Sequence, residues 1–280
     1  MTDFRYSIAD VFTSTALEGN PVAVFTGASG IPETRMQRIA RELNLSETVF
    51  VLPGDEEADV RVRIFTPVNE LPFAGHPTLG AAIVLAGSRS GDTLIMRTRQ
   101  GLVPFAFERD GGRIVSATMR QPIPVWQPYE HADSLLASLG VADPVTSVDA
   151  YRNGPRHVLV GCAGLDQLAA IVPDLRALSA LPDMAAICFA GSGRQWRMRM
   201  FSPAYGVAED AGTGSAAGPL AIHLIRHSLA RHGEWIEIRQ GLEMGRPSIM
   251  WAAASGSGER FDTVEVRGSA VVVGRGELFA

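Results

Sequence analysis

The chain has little cysteine and no obvious set of metal ligands. Its two cysteines, Cys162 and Cys188, sit in the apolar stretches VLVGCAG and AAICFAG, which predicts reduced core thiols in a cytoplasmic protein. Among the six histidines, His223 and His227 stand four apart. With no glutamate between them and no third ligand nearby in sequence, they are expected on a helix surface and no metal is expected. No apolar run approaches the roughly 20 residues that a membrane-crossing helix needs. The opening MTDFRYSIADVF lacks the basic start, apolar stretch and small-residue cleavage site of a signal peptide. Basic residues are scattered, and a net charge of −5 with a pI of about 5.7 argues against a nucleic-acid surface. No lysine follows the glycines of Gly212-Thr213-Gly214-Ser215, so the phosphate-loop pattern is missing. Flavin, nicotinamide and pyridoxal signatures are missing too, so the expectation is no cofactor, no membrane and no nucleic acid.

What remains is a globular balance of 46% hydrophobic and 20% charged residues over 280 positions, long enough for two domains. Residues 6–12, 22–25, 48–52 and 59–65 read as strands. Residues 34–43 read as a helix, with Met36, Ile39, Ala40 and Leu43 on one face. The small, apolar stretch 78–86 predicts a buried helix with Pro77 in its first turn, where a missing N–H costs nothing. More strands are expected over 93–119. The Pro-rich segment 121–128 should then form an extended, stiff crossing between halves.

Beyond that crossing the pattern recurs. RIFTP at 63–67 is echoed by RMFSP at 199–203, an offset of 136 residues. Gly75-His76 and Gly214-Ser215 open apolar runs with matching spacing at an offset of 139, and GNPVAV at 19–24 is echoed by GPRHVL at 154–159 at an offset of 135. Three ordered matches at nearly one offset predict an internal duplication. They imply two similar strand-rich halves, 1–120 and 128–264, each around one central helix, with the last strand at about 265–280 returning to the first half.

The duplication sets two helix starts in equivalent places. Helix starts expose unpaired N–H groups and the positive end of the dipole, and glycine lets a ligand come close. Two such starts facing one cleft would hold a carboxylate without arginine; ordinary capping by Thr213 or Ser215 is the plainer alternative. Glu47 stands at the entrance to an apolar strand, where poor solvation would raise its pKa and let one group both accept and deliver a proton; a solvated loop acid is the alternative. His76 and Asp210 are the titratable groups at the two helix starts; a structural hydrogen-bonded histidine and an acid that complements the helix dipole are the plainer alternatives. Glu209 competes with Asp210, and Glu70 is expected to be structural.

The stretches LEGNPVAVF, LNLSETVFV, RIFTPVNELPFAGHPTLGAAI and RMFSPAYGVAEDAGTGSAAGPLAIHL resemble the PhzF family of phenazine biosynthesis. The likeness runs from the first strand to the last. It implies an α+β fold like diaminopimelate epimerase, with two pseudo-symmetric domains, each a curved sheet around a central helix, and a site between them. It implies a cofactor-free isomerase that moves a proton from C3 to C1 of trans-2,3-dihydro-3-hydroxyanthranilate, giving an enol that becomes an aminoketone; the alternative is a related isomerase or epimerase acting on another small cyclic or amino-acid-derived carboxylate. Carried over by motif, the catalytic residues are Glu47, His76 and Asp210, and Ser46, Gly75, Gly214 and Ser215 bind substrate. Ala74 and Ala211 fall where the parent epimerases carry their paired cysteines, which speaks against two-base thiol chemistry. A homodimer is also implied, and the Pro-rich crossing between two halves predicts their closure on ligand.

Overall fold

In a computed structural model of the chain, residues 3–279 are described. The first half runs β1 (Asp3–Val11), β2 (Asn20–Phe25), α1 (Glu33–Leu43), β3 (Glu47–Pro53), β4 (Val60–Phe65), β5 (Glu70–Leu71), α2 (Gly75–Ala86), β6 (Thr93–Thr98), β7 (Gly101–Asp110) and β8 (Arg113–Arg120). The second runs β9 (Val125–Pro128), α3 (Ala132–Leu139), β10 (Asp149–Arg152), β11 (Arg156–Gly161), α4 (Leu165–Ala170), α5 (Leu175–Ser179), β12 (Ala185–Ser192), β13 (Gln195–Ser202), β14 (Val207–Asp210), α6 (Gly214–Arg226), β15 (Ile236–Gln240), β16 (Ser248–Ser257) and β17 (Arg260–Gly268). The chain ends in β18 (Ala270–Phe279), which pairs with β1.

Strand pairing displays the repeat. One path runs β18-β1-β2-β3-β4-β6-β7-β8, the other β9-β10-β11-β12-β13-β15-β16-β17, and they meet where β8 pairs with β17. Parallel pairs fall at matching steps, β2 with β3 and β4 with β6 in one half, β11 with β12 and β13 with β15 in the other. The Pro-rich segment is extended, but it is woven in rather than free: β9 pairs with β10, and the Gln121 N–H donates to the Val264 carbonyl.

α2 and α6 are the axles of the two halves. Both are apolar on nearly every side, and almost all their residues are buried, as a helix enclosed by sheet must be. α1 is the contrasting case, burying Met36, Ile39 and Ala40 and stopping at Asn44 in the left-handed conformation. It covers an outer aromatic cluster of Phe25, Phe50 and Phe65, while α3, α4 and α5 cover the equivalent outer face, where Cys162 and Cys188 lie as buried free thiols.

His223 corrects the sequence expectation. It is fully buried in α6, with Nδ1 3.0 Å from the Tyr151 hydroxyl and Nε2 2.9 Å from Thr146 Oγ1. The surface expectation assumed an amphipathic helix, and α6 is apolar nearly all round. Burial drives the His223 pKa down to about 2, with His227 and Arg226 adding to the effect.

Candidate active site

The starts of α2 and α6 meet backbone to backbone. A Cβ placed on Gly75 would lie 2.1 Å from the Ser215 nitrogen and 2.3 Å from the Gly214 carbonyl carbon. Neither start is capped by a side chain; Thr213 instead donates its hydroxyl to Asp210 Oδ2 at 2.6 Å. First-turn N–H groups have no acceptor within their own helix. The two starts therefore present N–H groups, and two positive dipole ends, to the same space.

The register of α6 is held from outside. Pro219 lies inside the helix and cannot donate to the Ser215 carbonyl four residues back. Asn153 Nδ2 takes that place at 2.9 Å, and Gln121 Nε2 donates to the Gly214 carbonyl at 2.8 Å. Gln240 braces the preceding loop, accepting from the Thr213 N–H and donating to the Asp210 carbonyl, both at 2.8 Å. Phe12 is strained at φ 65°, a costly conformation for a bulky residue. Its ring lies against Gly212, Gly214 and Gly268, wedged behind the start of α6.

Over these starts opens a cleft. Glu47, His76, Asp210, Gly75, Gly214 and Ser215 all line it, with Leu71, Met200, Tyr205 and Val207 as apolar walls. Glu47 is the first residue of β3. Its Oε2 is buried without a hydrogen-bond partner among the described residues, 3.4 Å from His76 Nδ1. Burial holds its carboxyl well above the ordinary range, and the nearby Asp210 charge pushes it further up.

A residue that sequence reasoning missed joins these groups. Asn20 Nδ2 donates to Asp210 Oδ1 at 2.8 Å and to the Gly212 carbonyl at 3.0 Å, and stands 3.2 Å from His76 Nδ1. Two acceptors fix the amide orientation. Those two acceptors use both hydrogens of the Asn20 amide, and the other group beside His76 Nδ1 is Glu47 Oε2 at 3.4 Å, so the tautomer follows Glu47: a protonated carboxyl can donate to Nδ1 and leave the ring's own proton on Nε2. That nitrogen is buried and has no hydrogen-bond partner among the described residues. Burial lowers the His76 pKa to about 4, against the opposing pull of Asp210 and the Pro21 carbonyl, so at neutral pH the ring is an uncharged donor.

Both Asp210 oxygens are engaged by Asn20 and Thr213, so this carboxylate orients its neighbours. Ser46 is not among the residues that line the cleft; its hydroxyl lies 3.5 Å from Asn20 Oδ1. Glu209 is tied to Arg199 at 2.8 and 3.0 Å and Glu70 to Arg63 at 2.8 and 2.7 Å, the same ion pair once in each half. His157 and Asn153 also escaped sequence reasoning, although Pro219 inside an apolar helix signals the need for a donor such as Asn153.

The two faces of the cleft differ. At the first rung of the matching parallel pairs, Val22 stands opposite Glu47 in one half and His157 opposite Ala185 in the other. The position equivalent to Glu47 thus holds a methyl group, and Ala185 lines the cleft. Ala74 and Ala211 are buried, and neither cysteine lines the cleft. The chain contains no lysine, so it cannot form a Schiff base through a side-chain amine. Elsewhere, Asp149, His223 and His227 bring ligand atoms within 4.8 Å of one another. Arg226 already supplies the cation there, with Nη1 2.8 Å from Asp149 Oδ2 and 2.6 Å from the Tyr151 hydroxyl.

The Glu47 environment has a measurable cost. A carboxyl whose folded pKa is raised contributes stability that is fully present below its unfolded value, about 4.5 here, and is lost as pH rises through the folded value. Between the two values the loss is about 1.4 kcal/mol per pH unit. Glu47→Gln, always neutral, should match the wild-type melting temperature near about pH 4 and exceed it by a few degrees near about pH 8. Parallel melting curves at constant ionic strength would show this. An unchanging difference across that range would mean that Glu47 ionises freely.

A family model described as "phenazine biosynthesis-like protein" matches residues 9–276. Over 275 residues the chain is 54% identical to the trans-2,3-dihydro-3-hydroxyanthranilate isomerase of Pseudomonas aeruginosa, covering 98% of this chain and 99% of that protein. It is similar to the solved structure of a "predicted epimerase" from Pseudomonas aeruginosa, 32% identical with a TM-score of 0.83 and 99% of each chain covered. A hydroxyproline epimerase from Agrobacterium vitis shares the fold at 14% identity, with a TM-score of 0.68 over 99% of this chain and 91% of that one. The α+β, epimerase-like architecture expected from sequence agrees with these structures.

Proposed function

The chain belongs to the phenazine biosynthesis-like PhzC-PhzF family and is an isomerase, and from that premise we propose that it moves a proton from C3 to C1 of trans-2,3-dihydro-3-hydroxyanthranilate with Glu47 as the carrier. The observation that carries this reading is the one-sided cleft, with a poorly solvated carboxylate facing the doubled helix start on one side and Ala185 at the equivalent place on the other.

The chemistry follows from the substrate. Loss of the C3 proton leaves an electron pair conjugated through the ring diene to C1 and its carboxylate. The N–H groups of Gly75, His76, Gly214 and Ser215 would bind that carboxylate and stabilise the charge it gathers. C3 and C1 are separated by one ring carbon, so a single group over one face can serve both. Glu47 takes the proton from C3 as carboxylate and delivers it to C1 as acid. Its raised pKa makes it a stronger base without demanding a second residue. The neutral His76 imidazole hydrogen-bonds a polar substituent of the substrate ring and fixes its rotation. The product enol then tautomerises to the aminoketone. No step calls for a cofactor.

Incubation with this substrate in D₂O, followed by NMR, tests the reaction. The C3–H signal should disappear as hydrogen, part of it deuterium, appears at C1. Substrate that persists unchanged with folded protein would overturn the assignment.

A further inference from the structure

The duplication is broken at a second pair of positions. Where the first half places Val22 opposite Glu47, the second places His157 opposite Ala185. Val22 is apolar and fully buried, so the fold does not require a polar residue at this step. His157 is nonetheless only 1% exposed. Its Nε2 lies 3.1 Å from Ser215 Oγ, and its Nδ1 is buried without a hydrogen-bond partner among the described residues. An imidazole kept at such a cost has a task that valine cannot do.

We infer that His157 is a positioning residue that donates to Ser215 Oγ and thereby turns the Ser215 hydroxyl into a donor aimed at the substrate carboxylate, an inference that rests on the substrate reading above. The direction follows from the ring. His157 is neutral at ordinary pH, burial and the Arg152 charge having brought its pKa down to about 3. Two neutral tautomers exist. A proton on Nδ1 would leave a buried N–H with no acceptor, whereas a proton on Nε2 leaves only a lone pair unused. Orphaned donors are the rarer and costlier case. With Nε2–H donating to Oγ, the serine hydroxyl must send its own hydrogen elsewhere. Ser215 lines the cleft at the start of α6, so that hydrogen joins the N–H groups there. The cradle then consists of donors only, which suits an anion and rejects a group that must itself donate.

The test compares wild type, His157→Leu and His157→Gln for binding of anthranilate and of its neutral carboxamide, with circular dichroism to confirm folding. Gln keeps a terminal N–H donor; Leu keeps only the bulk. His157→Leu should lose affinity for anthranilate on the order of 10- to 100-fold and lose most of the preference for acid over amide, and His157→Gln should restore both. Equal losses for the two ligands, or wild-type affinity in His157→Leu, would overturn the inference. Nitrogen NMR of the ligand-free wild type gives an independent answer: a proton on Nε2 of His157 supports the inference, and one on Nδ1 overturns it. Wild type that binds neither ligand and turns over no substrate would sink the substrate reading itself, and the inference with it.

Discussion

Glu47→Gln should lower turnover of trans-2,3-dihydro-3-hydroxyanthranilate by roughly 10²- to 10⁴-fold, the range for loss of a general acid–base group, on the proposal that Glu47 carries the proton. The amide fills the same volume and stays neutral, and it neither abstracts from C3 nor delivers to C1. Little compensation is available. The His76 Nδ1 faces the Asn20 amide at 3.2 Å, both Asp210 oxygens accept hydrogen bonds, and Ala185 occupies the mirrored position. Ligand affinity should change far less than turnover, because in the proposed binding mode the carboxylate is held by helix starts on other elements. Titration with anthranilate, run beside the rate assay, separates the two effects. Turnover within tenfold of wild type would remove Glu47 from the mechanism and move attention to His76.

The same variant should be the more stable protein at neutral pH, which links the two measurements. A buried carboxylate facing a second acid is a poor choice for stability and a good one for proton transfer. A variant that is stabler and inactive is the signature of such a group. One that is less stable and inactive would mean that Glu47 holds the fold together.

How legible was this site in sequence? The helix over 34–43 carries its own signal, because one face is apolar and the other charged. The duplicated stretches betrayed the second half and paired Gly75 with Gly214, since the repeat preserved spacing around each helix start. At Glu47 the local residues left a solvated loop acid and a poorly solvated proton carrier both open, and the motif likeness singled it out; the structure buries its Oε2. Asn20 could not be singled out, because it acts through Asp210, 190 positions away, and nothing local distinguishes it from a turn asparagine. His157 was visible as the partner of Val22 in the repeat, but its bond to Ser215 Oγ was not, because Ser215 lies 58 positions away. His223 was misplaced because periodicity says where an amphipathic helix faces and says nothing of a helix enclosed on all sides.

Gly75→Ala should do the greatest damage to the fold of the site with the smallest chemical change. The added methyl would sit 2.1 Å from the Ser215 nitrogen and 2.3 Å from the Gly214 carbon, both backbone atoms that cannot turn aside. Gly75 is not in the left-handed region, so the demand for glycine is one of space. Relief requires the two helix starts to part, and α6 is anchored by Asn153 and Gln121 against exactly such movement. Overpacking of this kind costs about 3 kcal/mol or more, and separating the starts pulls the N–H groups off a common anion. The expected result is a melting temperature several degrees lower, with anthranilate affinity reduced on the order of 100-fold or beyond detection. Gly80→Ala is the control on the same helix. Its methyl would meet Val11 Cγ2 at 2.6 Å and Val22 Cγ1 at 2.8 Å, side-chain atoms that can rotate, and it lies a turn away from the cleft. It should lose some stability and keep its ligand. A Gly75→Ala protein that melts and binds like wild type would show that the two helix starts do not touch, and the shared anion site would go with them.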